Sequence, residues 1–172
     1  MRIARIVSGG QTGVDLAALD AALAIGVPCG GWVPRGRFND DGLIAPHYPV
    51  RETSSAKPAH RTARNVRDSD ATLILSRGPL AGGSALTERL AREQAKPCLH
   101  VDLAAVPSDA APARILAWLE ALEGATLNVA GPRRSNDPGI YDIAYRVIEA
   151  VLAAGAANAV LPDASRYRQG DA

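Results

Sequence analysis

Three glycine-containing loops hold residues whose types and spacing suit the binding of an anion. The first is SGGQTGVD at positions 8–15, directly before an apolar segment with helical character. Glycines let backbone N–H groups approach a ligand closely, and the start of a helix adds the positive end of its dipole. Phosphate is the anion that this arrangement favours. The residues expected to contact it are Gly9, Gly10, Gln11, Thr12 and Gly13.

A structural explanation of this first loop is about equally good. Thr12 and Asp15 have the spacing of a capping box, and for Asp15 itself capping is the better explanation. The loop also lacks the Lys-Ser/Thr ending of a Walker A sequence and does not match GxGxxG. Neither nucleoside triphosphate hydrolysis nor NAD binding therefore follows from it.

The second loop, GPLAGGS at positions 78–84, also presents glycine amides and hydroxyl groups before a helical segment. A second anionic group could bind there. The alternative, weighed equally, is that Ser84 is the N-cap of the helix and that Glu88 pairs with Arg92 one turn later. The candidate contacts are Gly82, Gly83, Ser84 and Thr87.

The third loop, NVAGPRRSNDPG at positions 128–139, places two arginines beside a glycine turn. Arg133 is the preferred phosphate contact, and a solvated surface arginine is its alternative. Asp137 followed by Pro138 is typical of an N-cap and the first residue of a helix. The candidate contacts in this loop are Gly131, Pro132, Arg133 and Ser135.

Four further residues are candidates for the rest of a ligand: Arg35, Arg37, Arg61 and Asn65. Arg61 and Asn65 are four positions apart, so both can point from one helical face into the same crevice. A solvated polar face is the commoner explanation of such a run.

The sequence favours neither a metal centre nor a hydrolase triad. The three histidines have no metal-ligand spacing with each other or with cysteine, so we expect no metal held by the protein itself. The loop serines Ser8, Ser84 and Ser135 lack a recognisable His/Asp partner set and are better interpreted as hydrogen-bond donors.

The elements that must position these loops alternate between strand and helix. Each glycine loop follows a predicted strand and precedes a predicted helix, where open parallel sheets place their ligands. The sequence thus predicts an α/β protein with a three-layer Rossmann-like fold and a mainly parallel sheet of about five strands flanked by helices. The predicted strands are 3–7, 29–33, 71–75, 97–101 and 126–130, and the predicted helices are 13–25, 59–67, 85–95, 111–122 and 140–154.

Other segments fix the domain limits. With 172 residues the chain suits one domain, expected over 1–155 and followed by a C-terminal tail at 156–172. The segment 34–56 has little periodicity and is predicted to be a long loop, a kind of segment that is often functional or mobile. The first helix is apolar almost all round, so a subunit interface could cover its second side.

The composition of the chain indicates which classes of partner and which cellular compartment to expect. The 19 basic and 18 acidic residues nearly cancel, so we expect no attraction to nucleic acid or to an anionic membrane. Cys29 and Cys98 form no disulfide framework, and no apolar stretch suits a signal peptide or a membrane span, which together favour the cytoplasm.

Several segments in a fixed order resemble the molybdenum carrier (molybdenum cofactor carrier protein) family. The resemblance spans about Arg2 to Val151 and rests on SGGQTGVDLAALDAA (8–22), GGWVPRGR (30–37), DDG (40–42), HYPVRET (47–53), RTARNVRDSDATLIL (61–75), GGSALT (82–87) and LNVAGPRRSNDPGIY (127–141). The family belongs to the Rossmann-like superfamily of lysine decarboxylase-like proteins and cytokinin-activating phosphoribohydrolases. It looks circularly permuted, because the AGPRRS element that opens those relatives lies near the C-terminus here.

The resemblance implies a ligand. It would be the molybdenum cofactor, a phosphorylated molybdopterin whose metal belongs to the ligand. The protein would be a homo-oligomer, a dimer or tetramer, that holds this ligand in its crevice. It would pass the ligand to a cofactor-receiving molybdoenzyme. This chain departs from the family pattern at Leu16, where a basic residue is usual, and at Ser84, where GGT is usual.

Three functions remain open, with a non-catalytic carrier first. A phosphoribohydrolase acting on nucleoside monophosphates is the second, although its catalytic pair is incomplete: Arg61 matches the arginine of the enzymatic relatives, but Glu88 falls one residue short of their glutamate. A nucleotide-binding sensor module is the third.

Overall fold

The computed structural model describes residues 3–157, and its centre is a six-stranded sheet in which every pairing is parallel. The strand order is β5-β2-β1-β8-β6-β7. These strands are β1 (Arg5–Val7), β2 (Cys29–Val33), β5 (Val50–Glu52), β6 (Ala71–Ser76), β7 (Cys98–Asp102) and β8 (Thr126–Ala130). All six residues of β6 are buried, as expected for a strand covered on both faces.

The predicted long loop at 34–56 contains three short strands. β5 adds a sixth strand at the edge of the sheet, where Gly31 to Val33 of β2 pair with Val50 to Glu52. Before it, β3 (Phe38–Asn39) and β4 (Gly42–Leu43) form an antiparallel ribbon that turns at Asp40 and Asp41. β3, β4 and β5 have only two or three residues each, which is too short to give a periodic pattern. The sequence therefore predicts five strands and gives no indication of the ribbon.

Five helices flank the sheet and confirm the predicted three-layer α/β fold. They are α1 (Val14–Ile25), α2 (Pro58–Arg67), α3 (Gly82–Glu93), α4 (Ala111–Leu119), which continues as a 3-10 helix at Glu120–Leu122, and α5 (Ile140–Ala157). α5 packs against α1 and α4, whereas α2 packs against α3.

Two details of the helices differ from the expectations. α3 begins at Gly82, three residues before the predicted start, so Ser84 lies inside the first turn and is not the N-cap. The glycine pair concealed that start because glycine has a low helix propensity. The second side of α1 is covered mainly by α5 of the same chain, so no subunit interface is needed to explain its apolar surface.

The predicted tail at 156–172 lies almost wholly outside the described residues; within them, α5 continues to Ala157. Across 3–157, none of the helices combines the length and the apolar character that crossing a bilayer requires.

Candidate functional site

A crevice of about 640 Å³ opens at the carboxyl ends of the central strands. Because all the strands are parallel, the loops after β1, β6 and β8 meet at this one edge, as the sequence analysis predicted. The volume lies within the range of small-molecule sites, about 300–1,000 Å³. The predicted residues that line it are Gln11, Arg61, Gly82, Gly83, Ser84, Thr87, Gly131, Pro132 and Arg133.

Glycines allow the first and third loops to pack against each other. Gly13 has a φ of 85°, which favours glycine, and a Cβ there would meet the carbonyl oxygen of Pro132 and lie 2.9 Å from the amide nitrogen of Arg134. Across the interface, the amide of Arg134 donates to Thr12 Oγ1 at 3.2 Å. Thr12 therefore joins the two loops instead of completing a capping box with Asp15.

The start of α3 offers backbone amides to the crevice. Its N-cap residue, Ala81, supplies no side-chain hydrogen bond, so the first N–H groups of the helix keep no side-chain acceptor. A Cβ on Gly82 or Gly83 would meet no atom within 4 Å, and both residues line the crevice. An uncapped helix start in an open cleft is suited to an anionic group.

A buried ion pair forms one wall. Arg61 Nη1 lies 3.0 Å from Asp15 Oδ2, and the two side chains are 15% and 4% exposed. The guanidinium lies directly over Gly9, where a Cβ would overlap Arg61 Nη1. Burial raises the pKa of Asp15, while Arg61 and the amides of Gln11 and Gly9 oppose that shift only in part. Arg61 Nε is buried and has no hydrogen-bond partner among residues 3–157.

The carboxylate of Asp40 meets three of the predicted ligand contacts. Arg133 Nη1 donates to Asp40 Oδ1 at 3.0 Å, Ser135 Oγ donates to Oδ2 at 2.9 Å, and Gln11 Nε2 donates to Oδ1 at 3.1 Å. Next to it, Arg134 pairs with Asp41. The turn of the β3–β4 ribbon thus covers the first and third loops and places a carboxylate against the groups expected to bind an anion.

Another pair in the crevice, Arg77 with Asp137, is not indicated by the sequence pattern. Arg77 Nε donates to Asp137 Oδ2 at 2.8 Å, and this hydrogen bond with the guanidinium lowers the pKa of Asp137. The position of Arg77 directly after a buried strand was the available signal. Arg61, Arg77 and Arg133, the crevice arginines, are each paired with an aspartate.

Eight predicted contacts do not line the crevice: Gly9, Gly10, Thr12, Gly13 and Ser135 belong to the first and third loops, and Arg35, Arg37 and Asn65 belong to other segments. Arg35 is exposed, and Arg37 donates to the carbonyl oxygens of Ile44, Ala45, Tyr48 and Val50, which holds the segment before β5 in place. Asn65 is buried and exchanges hydrogen bonds of 2.7 and 3.0 Å with the backbone of Trp32. The side chains of Arg37 and Asn65 therefore bind backbone groups of this chain.

A phosphoribohydrolase needs an acidic group near the ribose, and the fold separates Asp15 and Glu88, the two acidic residues of the glycine loops that could supply it. Asp15 lines the crevice, whereas Glu88 lies outside its lining and pairs with Arg92 at 3.5 Å. A further unpredicted contact joins Ser76, which lines the crevice at the end of β6, to His100 of β7, with 2.7 Å between Ser76 Oγ and His100 Nε2. Across residues 3–157, no three His, Cys, Asp or Glu side chains gather into a group that could hold a metal ion.

The position of Asp40 predicts an affinity effect. Asp40→Asn is expected to strengthen the binding of inorganic phosphate roughly two- to fivefold, because it removes a competing charge from Arg133 in a pair that is partly exposed. Isothermal titration calorimetry measures this change, and Asp41→Asn is the matched control because its partner, Arg134, does not line the crevice. Weaker phosphate binding by Asp40→Asn would show that this carboxylate organises the site instead of competing for it.

Comparison with known proteins agrees with this architecture. Residues 6–152 match the model of the circularly permuted YpsA SLOG family. A protein from Syntrophus aciditrophicus SB with a crystal structure, named "putative molybdenum carrier protein", has 45% sequence identity to this chain. The two structures superpose with a TM-score of 0.85, and the match covers 87% of this chain and 95% of that chain. No curated protein matches the sequence significantly. The family match covers most of the sequence and confirms both the predicted resemblance and the permutation, and the chain therefore belongs to the circularly permuted YpsA SLOG family.

Proposed function

We propose that this protein is a carrier that binds the molybdenum cofactor through its phosphate group in the crevice. The observation that carries the proposal is the meeting of an uncapped helix start, at Gly82 and Gly83, with the guanidinium groups of Arg61 and Arg133 around one cleft. Helix amides and arginine are the groups that proteins use most readily for phosphate.

Two further observations support a bound ligand. Arg61 Nε is a buried donor with no acceptor among residues 3–157, and a phosphate oxygen is a suitable acceptor for it. The crystal structure that is 45% identical bears the name of a molybdenum carrier. The donor set therefore fits a phosphorylated cargo whose metal is held by the cargo itself.

The proposal extends to the assembly and location of the protein. The ligand-binding domain comprises residues 1–155 and works in the cytoplasm as a homo-oligomer, a dimer or tetramer, that delivers its cargo to a molybdoenzyme. Size-exclusion chromatography with light scattering tests the assembly, and a monomeric mass would contradict it.

The cargo is tested by purifying the protein without oxygen from cells that make the cofactor. Native mass spectrometry and elemental analysis are expected to find molybdopterin and molybdenum. Arg133→Ala is expected to lower the retained molybdenum about tenfold or more, because it removes a charged hydrogen-bond donor, with little loss of stability. The matched control is Arg134→Ala, which removes the neighbouring arginine outside the crevice lining.

Protein that carries no molybdenum after this preparation would contradict the carrier proposal. Equal molybdenum in Arg133→Ala and in wild type would instead remove Arg133 from the phosphate contacts.

One observation favours the phosphoribohydrolase alternative. The Asp15 carboxyl lies in the crevice, and burial raises its pKa, which is the direction required of a carboxyl group that acts as a general acid or base. Release of ribose 5-phosphate from AMP by the same preparation would support the enzyme. Tight binding of AMP without turnover, by a protein that does not bind molybdopterin, would support a nucleotide sensor. Glu88→Gln is expected to change neither activity nor affinity, because Glu88 lies outside the crevice.

A further inference from the structure

A second, smaller cavity adjoins the crevice beneath the β3–β4 ribbon. It measures about 240 Å³ and shares Gln11, Arg61 and Arg133 with the crevice. The two cavities therefore meet at these three residues. The two spaces are neighbouring parts of one site.

The lining of this second cavity differs in character from that of the crevice. Its apolar lining residues are Pro34, Pro58 and Phe38, and its polar lining residues include Asn39 and Asp40. The volume is below the range of about 300–1,000 Å³ for whole drug-sized ligands, so it suits one part of a ligand. A space with flat apolar residues and a few polar groups matches a planar heterocycle, which has apolar faces and a hydrogen-bonding edge.

Phe38 is an unusual residue in this position. It is the single phenylalanine of the chain, and it is 47% exposed. Its ribbon partner Leu43 is 75% exposed but lines neither cavity. Phe38 therefore brings an aromatic residue to the lining of the second cavity, while Leu43 provides a comparable exposed apolar residue outside it.

We propose that the second cavity is a stacking subsite for the fused heteroaromatic ring of a phosphate ester whose phosphate lies in the crevice. This inference rests on the proposed function, because it requires the phosphate to bind beside Arg61 and Arg133. It adds the place of the ring: the fused ring that is joined to the phosphate lies against Phe38. Pterin phosphates and purine nucleotides share this chemistry.

The test separates the ring from the phosphate. Calorimetry with ribose 5-phosphate measures the phosphate contribution alone, and calorimetry with GMP and with 6-hydroxymethylpterin phosphate adds each type of ring. Phe38→Ala is expected to weaken binding of at least one ring-bearing probe about tenfold, as loss of an aromatic stacking partner does, and to leave ribose 5-phosphate binding unchanged. Leu43→Ala is expected to change neither.

The outcomes distinguish the two proposals. Equal affinity of Phe38→Ala and wild type for both ring-bearing probes, with ribose 5-phosphate still bound, would overturn the stacking subsite and leave the phosphate site intact. Failure of wild type to bind any of the three probes would overturn both. If Phe38→Ala weakens ribose 5-phosphate to the same degree, Phe38 supports the ribbon instead, which also contradicts the subsite. Thermal unfolding of both variants checks that the fold is kept.

Discussion

Gly131→Ala is expected to lower the free energy of unfolding by roughly 3 kcal/mol or more. A Cβ at this position would clash with the carbonyl oxygen of Leu75 and lie 2.5 Å from Val14 Cγ2. The first of these neighbours belongs to the backbone of the central strand β6 and the second to the buried start of α1. Neither can move without displacing a core element, which places the cost at the upper end for overpacking. Chemical denaturation measures the change.

Gly83→Ala is the control for this prediction. Its added Cβ would meet no atom within 4 Å, and the residue lies in the first turn of α3. The stability of this variant is expected to stay within about 1 kcal/mol of wild type, since alanine is favoured over glycine in a helix. Similar losses in the two variants would show that the close approach at Gly131 does not determine stability.

Arg61→Ala is expected to lower the free energy of unfolding by about 3 kcal/mol at neutral pH, because it leaves the Asp15 carboxylate buried without its cation. The loss should shrink as the pH falls. Without Arg61, only the amides of Gln11 and Gly9 oppose the effect of burial, so the pKa of Asp15 rises further above its value in the unfolded chain. A raised folded-state pKa means that the folded protein gains a proton at low pH, so its stability is restored below that pKa and lost above it.

Denaturation of wild type and variant between pH 5 and 8 measures this effect. Gly9→Ala offers a second way to break the ion pair between Arg61 and Asp15. The new Cβ would overlap the guanidinium and displace it from Asp15, while Arg61 keeps its charge. A deficit that does not vary with pH in Arg61→Ala would mean that Arg61 stabilises the fold by packing and not by pairing with Asp15.

The fold was largely predictable because it depends on local patterns. Continuous apolar strands such as β6 and β8, separated by helices, indicate a parallel sheet without any knowledge of contacts. The same pattern located the crevice, since glycine loops after parallel strands must meet at one edge. Short strands such as β5 carry no period, so the sixth strand could not be predicted.

The pairing of side chains was not predictable in the same way. Asp40 is 93 positions away from Arg133, and Arg77 is 60 away from Asp137, so no local spacing indicates either contact. Arg37 and Asn65 were predicted from residue type to contact a ligand. In the fold, both side chains bind backbone groups of this chain instead. Residue type predicts what a side chain can bind, whereas tertiary structure determines which partner it meets.

The pairing of every crevice arginine with an aspartate has a consequence for selectivity in a cell. Abundant small anions compete for any exposed guanidinium, but here each of them must compete with an internal carboxylate at Arg61, Arg77 or Arg133. A ligand that offers only negative charge gains little from that exchange, because one anionic partner replaces another. The site is then occupied preferentially by molecules that make additional contacts, and simple phosphates in solution compete less well for the cleft.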